Sequence, residues 1–296
     1  MLYAFDGTWN EDRNRASWTN VCKLSNSIAP AAVRYYRGIG NGADCKGVAA
    51  LVAGAFGLGF SDIVDKALDD FRIARTAGDY VVDVFGFSRG STEALVFLNK
   101  IREYEAKVKV KPAQRARIRF VGLFDAVDAL GLPDVDWDFW YDKRLVKDAE
   151  VAVHAIALHE TRATFHCLDI KGARQVAFRG NHCDVGGGYA EPGLSDVSLG
   201  WMYDQALAAG VVFTLPKSAL GLKPKPAMAP HRVTAFNYHH EPRTLPEGVT
   251  MPADPSPWPI MRKIGATAKG AVGGKGGTPV TADGWEFVNH KGFTPD

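Results

Sequence analysis

The sequence predicts an α/β fold with a mostly parallel central sheet and helices on both faces. Short apolar runs that end in glycine or small polar residues are typical of parallel strands buried on both faces. These predicted strands lie at residues 2–5, 32–36, 80–85, 118–124 and 175–178. Predicted helices follow at residues 61–76, 92–108, 149–164 and 196–209. Strands alternating with helices predict a doubly wound sheet, which binds ligands in the loops after its strands.

Length and charge limit the organisation and the partners of the chain. Its 296 residues are enough for one large α/β domain, and no internal repeat or domain boundary is visible. We therefore expect a single domain over 1–296, with an irregular segment rich in proline and glycine at 252–284. A net charge of only +2 gives no electrostatic reason to expect a nucleic-acid partner.

No targeting or spanning segment is predicted. The opening residues MLYAFDGTWN lack the basic and apolar regions of a cleavable signal peptide, so we expect synthesis in the cytoplasm. Residues 47–60 are too short and too rich in glycine to span a bilayer. They are predicted to begin the helix at 61–76, and a lid or the lining of an apolar substrate groove is the alternative. The four cysteines have no paired metal spacing and are predicted to be buried thiols.

A serine between two glycines follows the strand predicted at 80–85. The sequence GFSRG matches the G-x-S-x-G nucleophile elbow, with Gly86 and Gly90 flanking Ser88. Such a serine is held at strained backbone angles, and side chains two residues before and after it would collide. The helix that starts at this point is expected to aim the Arg89 backbone N–H at a developing oxyanion.

A serine nucleophile needs a base and an acid, which follow it along the chain in hydrolases with this elbow. Asp125 ends the strand predicted at 118–124 and is expected at the same sheet edge as Ser88. Asp128 is close behind it as a competitor. Asp184, in the loop NHCDVGGGY, is a further candidate acid, although such a side chain also shapes loops by bonding to nearby backbone.

The favoured base is His182, which follows the strand predicted at 175–178 and opens the same small-residue loop. His239 and His240 remain alternatives, because they follow a last strand predicted at 233–238. His154 and His159 fall in the helix predicted at 149–164 and are expected to be core or surface residues.

The turn after the first strand, DGTWN, is predicted to complete the site. A second oxyanion donor usually comes from a loop after an earlier strand, and the Gly7 and Thr8 backbone N–H groups are the candidates. Asp6 is alternatively a nucleophile or metal ligand, as in phosphatases of the haloacid dehalogenase type. Those enzymes need a second aspartate two residues earlier, where this chain has Ala4, so that reading is disfavoured.

Six motifs occur in order between residues 2 and 209: FDGTWN, YYRGIGNGA, GFSRGS, GLFDAVDALG, HCDVGGGY and GLSDVSLGWM. Together they resemble the α/β-hydrolase family known as domain of unknown function 2235, which includes a class of type VI secretion phospholipase effectors. Matched motif by motif, the resemblance implies Ser88 as nucleophile, Asp125 as acid and His182 as base. Asp128 stands where family members often have glycine.

The resemblance implies an ester hydrolase of the lipase or phospholipase A type that works through an acyl-enzyme without metal or organic cofactor. It also implies an ester or phospholipid substrate, export by a signal-independent route, and a secretion partner or immunity protein. Peripheral membrane contact would then use residues 47–60 or the tail around Trp258. Two alternatives stay open: a non-catalytic binding protein on a hydrolase scaffold, and a metal-dependent phosphoesterase that uses Asp6, His182 and Asp184.

Overall fold

The computed structural model describes residues 1–8, 10, 12, 14–39, 56–127, 142–162, 165–231, 243, 245, 246 and 248–250. For residues 56–58, 259–263 and 285–289 it describes the backbone alone. Asp128, His239, His240 and the strand predicted at 233–238 lie outside the described residues. So do residues 47–55 of the predicted lid and most of the segment 252–284.

Six strands form one all-parallel sheet in the order β2-β1-β3-β4-β5-β6. Their bounds are β1 Leu2–Phe5, β2 Val33–Tyr36, β3 Val81–Phe87, β4 Arg117–Phe124, β5 Val151–Ala157 and β6 Arg174–Phe178. The predicted α/β fold with a parallel sheet is therefore confirmed.

Five α-helices surround this sheet in the described part of the chain. They are α1 Asn20–Ser25, α2 Phe56–Thr76, α3 Arg89–Lys107, α4 His182–Gly186 and α5 Ser195–Ala208. Short 3-10 helices lie at Arg15–Ser17, Pro30–Ala32, Pro112–Gln114 and Lys217–Leu220. Within the described ranges, every helix is too short or too polar to span a lipid bilayer.

The core lies in two layers, one on each face of the sheet. On one face, Leu24 of α1 and Leu199 and Met202 of α5 pack against the strands. On the other face, α2 and α3 bury apolar stripes that include Phe71 and Leu95. The stripe predicted for α2 is confirmed, because its apolar residues at helical spacing face the sheet.

The helix predicted at 149–164 is wrong. Residues Val151–Ala157 form β5, a central strand between β4 and β6, with the last five side chains buried. The sequence VAVHAIA is apolar on consecutive positions and rich in β-branched residues, which suits a strand covered on both faces. His154 therefore lies inside the sheet and His159 in the turn after β5, not on a helix.

Two further expectations need correction. The loop predicted to begin at His182 is the short helix α4, because the Asn181 side chain accepts hydrogen bonds from the Cys183 and Asp184 N–H groups and caps it. Within the segment expected to be irregular, the backbone of Pro259–Lys263 forms β7, which pairs antiparallel with β8, Trp285–Asn289. That the whole chain is one domain remains a prediction.

Candidate active site

Ser88 lies at the carboxyl edge of the sheet, between β3 and α3. Its backbone has φ 58° and ψ −128°, and residues that carry a side chain rarely adopt such a positive φ. The strain is held in place because Ser88 N donates to Phe124 O of β4 at 3.0 Å. Although Ser88 is the N-cap residue of α3, its side chain accepts no hydrogen bond from that helix. Its hydroxyl is therefore not used as a helix cap.

The two glycines of the elbow are sterically required. A Cβ on Gly86 would lie 2.6 Å from the Cα of Ser91, and one on Gly90 would lie 2.4 Å from the carbonyl oxygen of Phe5. Both clashes are with backbone, which cannot move aside as the end of a flexible side chain can. The crossing of β1, β3 and α3 is thus close enough to exclude any other residue at these positions.

Asp125 lies beside Ser88 on the neighbouring strand. The last residues of β3 and β4, Phe87 and Phe124, are paired in register, so the residues that follow them emerge at the same edge. Asp125 also has a positive φ, 39°, and its side chain is fully buried. Its backbone N donates to Ala155 O at 2.7 Å, and its Oδ1 accepts from Ala157 N at 2.8 Å. Strand β5 therefore fixes the orientation of the carboxylate.

His182 and Asp125 are joined by a hydrogen bond. His182 Nδ1 lies 2.6 Å from Asp125 Oδ2, although the two residues are 57 positions apart in the chain. Burial alone would raise the pKa of Asp125, but the charge of Arg243 and the bond to His182 hold it well below its usual range. Because the carboxylate is ionised and can only accept, Nδ1 carries the proton. Nε2 is then left as the basic nitrogen of the ring.

The imidazole of His182 packs between two aromatic rings. The Phe87 ring, next to Ser88, lies 4.6 Å from it, and the Phe165 ring meets it edge-on at 4.9 Å. A Cβ on Gly186 would lie 1.9 Å from the Phe87 ring, so α4 presses against the elbow without a gap. Burial lowers the pKa of His182, although the bond to Asp125 opposes the shift. The ring is therefore neutral at neutral pH.

Arg243 completes the buried charge pair and was not found by sequence reasoning. Its Nη1 donates to Asp125 Oδ1, and its Nη2 donates to Phe165 O at 2.6 Å. Its side chain is only 4% exposed, so both charges are removed from water. A single arginine in a loop far from the other motifs carries no sequence signal that would place it here.

Glu160 is a second residue of the candidate site that the sequence did not reveal. Its Oε2 accepts from the backbone N of His182 at 3.1 Å, and Arg162 Nη2 donates to the same oxygen at 2.7 Å. Burial opposes its ionisation, but Arg162 lowers the pKa of Glu160 to about 2. An anion at the first turn of a helix is favourable, so Glu160 stabilises α4 in the position that holds His182.

The turn after β1 lies at the same edge, because Phe5 is paired with Gly86 of β3. Gly7 N donates to Asp6 Oδ1 at 2.7 Å, so this N–H is directed at its own neighbour and not at the elbow. Of the two donors predicted here, Thr8 remains the candidate. Arg89 Nη1 donates to Thr8 Oγ1 at 3.3 Å, which ties this turn to the start of α3.

Asp6 serves to shape this turn. Besides the Gly7 N–H, its carboxylate accepts from Thr19 Oγ1 at 2.8 Å and from the Tyr35 hydroxyl. Burial raises the pKa of Asp6 to about 6, against hydrogen bonds that favour the charged form. With these three donors around it, Asp6 is held as part of the loop.

Asp184 lies near His182 in sequence but does not bond to its ring. Its Oδ1 lies 2.5 Å from His231 Nδ1, and its Oδ2 accepts from Asn181 N at 3.0 Å. Asp184 thus completes the cap of α4, which is the structural role given above as the alternative to a catalytic one. The residues Asp6, His182 and Asp184 each have separate partners, and no group of three or more metal-ligating side chains occurs among the described residues.

The remaining described histidines of this region support the sheet. His154 Nε2 accepts from Ala126 N at 3.0 Å, and its Nδ1 lies 3.1 Å from Gln175 Oε1. Burial lowers the pKa of His154 to about 4, so it is neutral. His159 Nδ1 accepts from Gly180 N at 3.0 Å. Both rings are engaged with backbone beside Asp125 and His182.

Sequence comparison relates the chain to a known family. The chain matches the family described as T6SS, Phospholipase effector Tle1-like, catalytic domain, over residues 1–104 and 96–205. The two matched stretches contain the elbow, the aspartate after β4 and the histidine that opens α4. A search of curated protein sequences gave no match.

Proposed function

Because the chain belongs to the family of Tle1-like phospholipase effectors of the type VI secretion system, we propose that it cleaves a carboxylic ester of a phospholipid. In this proposal Ser88 is the nucleophile, His182 the general base and Asp125 the acid that orients the base. The observation that carries it is the 2.6 Å bond between Asp125 and His182, packed through Phe87 against the strained turn of Ser88.

The first half of the reaction acylates the enzyme. His182 Nε2 takes the proton of the Ser88 hydroxyl as Oγ attacks the ester carbonyl. The imidazolium that forms is stabilised by the carboxylate of Asp125, which is already ionised. The backbone N–H of Arg89, in the first turn of α3, and that of Thr8 are the proposed donors to the oxyanion. Proton transfer from His182 to the leaving oxygen then releases the alcohol.

The second half repeats these steps with water. His182, neutral again, takes a proton from a water molecule that attacks the acyl-enzyme, and the same donors hold the second oxyanion. Collapse of this intermediate frees the fatty acid and returns the proton to Ser88. Every proton is carried by His182, so the low pKa that burial gives it matters in both halves.

Labelling with a fluorophosphonate tests the nucleophile. We expect the wild-type protein to be labelled, Ser88→Ala to lose labelling, and phospholipid hydrolysis by that variant to fall by at least about 10⁴-fold. Ser91→Ala, in the first turn of α3, is the control and should keep both labelling and phospholipid hydrolysis. A folded wild-type protein that is not labelled would contradict the proposal and favour a binding role.

Single substitutions separate the candidate bases. His182→Gln is expected to lower kcat by several orders of magnitude, whereas His240→Gln keeps most of the activity. The opposite result would make His240 the base. A chelator is expected to leave activity unchanged. Loss of activity with a chelator would instead support the metal-dependent alternative with Asp6, His182 and Asp184.

We also propose the delivery route and the partners that go with this family. The chain would be exported by the type VI apparatus without a cleaved signal and would act on lipid in a target cell. The producing cell would then need an immunity protein that binds the enzyme. Killing of a neighbour lacking that protein, lost with Ser88→Ala, is the corresponding assay.

A further inference from the structure

Arg179 lies at the catalytic edge of the sheet, directly after β6. The last residue of β6, Phe178, is paired with Ala157, whose N–H donates to Asp125. Gly180, the residue after Arg179, accepts a hydrogen bond from His159 N at 2.9 Å through its carbonyl oxygen. This bond fixes the backbone that carries Arg179. His182 begins α4 three residues later. The arginine therefore starts from backbone adjacent to the proposed acid and base.

The charge of Arg179 has no counter-ion among the described residues. Its Nε is buried and has no hydrogen-bond partner, and the residue is half-buried. Arg162 and Arg243, at the same edge, are instead paired with Glu160 and Asp125. Partial burial lowers the pKa of Arg179.

We propose that Arg179 binds the phosphate group of the phospholipid and so makes the enzyme prefer phospholipids to neutral glycerides. This rests on the proposed function. A planar guanidinium binds a phosphate through two parallel hydrogen bonds, and such a bond is stronger where water is partly excluded. In a phospholipid the phosphate lies only a few bonds from the acyl esters. Because Arg179 directly follows β6, at the sheet edge where Ser88 and Asp125 follow β3 and β4, we assign its guanidinium to the phosphate of a lipid whose ester lies at Ser88.

Substrate selectivity tests the assignment. We expect Arg179→Gln to lower the ratio of kcat/KM for phosphatidylethanolamine over diacylglycerol, in the same mixed micelles, by about 10- to 100-fold. Arg179→Lys keeps the charge but loses the two parallel donors of the guanidinium, so its ratio should lie between those of wild type and Arg179→Gln. Lys171→Gln, an exposed lysine before β6 at the other end of the strand, removes the same charge and should keep the wild-type ratio. An unchanged ratio in Arg179→Gln overturns the proposal.

A second measurement separates this proposal from the proposed function. Ser88→Ala protein is mixed with phosphatidylethanolamine vesicles, and its binding is compared with that of the Ser88→Ala, Arg179→Gln double variant. About tenfold weaker binding of the double variant supports the role of Arg179 even if no hydrolysis is found, and equal binding contradicts it. Inorganic phosphate separates a lipid site from a free-phosphate site. If it inhibits diacylglycerol hydrolysis by the wild type but not by Arg179→Gln, and Arg179→Gln keeps the wild-type ratio of kcat/KM for the two lipids, Arg179 binds free phosphate and the lipid assignment is overturned.

Discussion

Nδ1 of His182 lies 2.6 Å from Oδ2 of Asp125, and both groups are buried. Asp125→Asn would place an amide next to Nδ1, and the ring would be held as the wrong tautomer. We expect kcat to fall by about 10⁴-fold with the fold retained, as judged by circular dichroism and steady-state kinetics. Asp184→Asn, which changes a carboxylate bonded to His231, is the control and should keep activity within about tenfold. Equal losses would contradict the assignment of Asp125 as the acid.

The pH profile follows from the burial of His182. Its pKa is lowered from the ordinary histidine value of 6.5, so the ring stays neutral, and able to accept a proton, at a lower pH than an exposed histidine. The acid limb of kcat/KM for a neutral ester is therefore expected to have its midpoint below 6.5. A midpoint above this value would show that the ring is charged more easily in the free enzyme than its burial allows.

Arg243 is expected to stabilise the fold through Asp125. Arg243→Gln leaves a buried carboxylate without its cation and should lower the free energy of unfolding at pH 7 by about 3–5 kcal/mol, measured with urea. The folded-state pKa of Asp125 is depressed, so its contribution to stability is present above the unfolded value of 3.8 and is lost as the pH falls.

The stability difference between wild type and Arg243→Gln should accordingly narrow below about pH 4. Arg144→Gln removes an arginine whose side chain is 87% exposed and is paired with Asp142. As the control, it should change stability by less than about 1 kcal/mol. A loss for Arg243→Gln that does not depend on pH would mean that its bonds to the Phe165 and Ala157 carbonyls matter more than its charge.

Glu93, in α3 behind the elbow, is buried with one carboxyl oxygen unpartnered. Burial raises its pKa well above 4.5 against the attraction of Arg89, so its contribution to stability is full below pH 4.5 and is lost as the pH rises through the folded value. Glu93→Gln removes this dependence. The free energy of unfolding of Glu93→Gln relative to wild type should rise between pH 5 and 8. For Glu103→Gln, which changes an exposed residue of α3, the difference from wild type should stay constant over this range. Parallel curves for both would contradict the raised pKa.

Gly90 tests the packing of the elbow. Gly90→Ala forces a methyl group against the Phe5 carbonyl and should lower the free energy of unfolding by about 1–3 kcal/mol and reduce activity. Gly200→Ala in α5 meets first the flexible end of Lys217, 3.2 Å away, and is expected to be neutral or stabilising by up to about 1 kcal/mol. Destabilisation by both changes alike would remove the special role of position 90.

That Ser88, Asp125 and His182 lie at one edge could be predicted from the sequence. Ser88 and Asp125 directly follow buried strands, His182 follows β6 after a short turn, and parallel strands bring such positions to the same edge. Strand β5 could not, because the run VAVHAIALH fits a buried helix as well as a buried strand. Only the register of β5 between β4 and β6 decides between them.

The groups that set the charge of the site were beyond the reach of the sequence. Arg243 and Glu160 come from loops without a motif, and only the tertiary fold brings one to Asp125 and the other to the start of α4. Gly7 shows the opposite limit. It lies in the predicted turn, but the short bond from its N–H to Asp6 depends on a local geometry that the residue types do not specify.

The distance of Arg243 along the chain has a consequence for biosynthesis. Ser88, Asp125 and His182 leave the ribosome well before residue 243, so the nascent chain holds the Asp125 carboxylate before its counter-charge exists. Burying that carboxylate alone is costly, and the growing chain cannot complete the site at that stage. A cell that makes this protein therefore meets the completed charge pair only after residue 243 has left the ribosome.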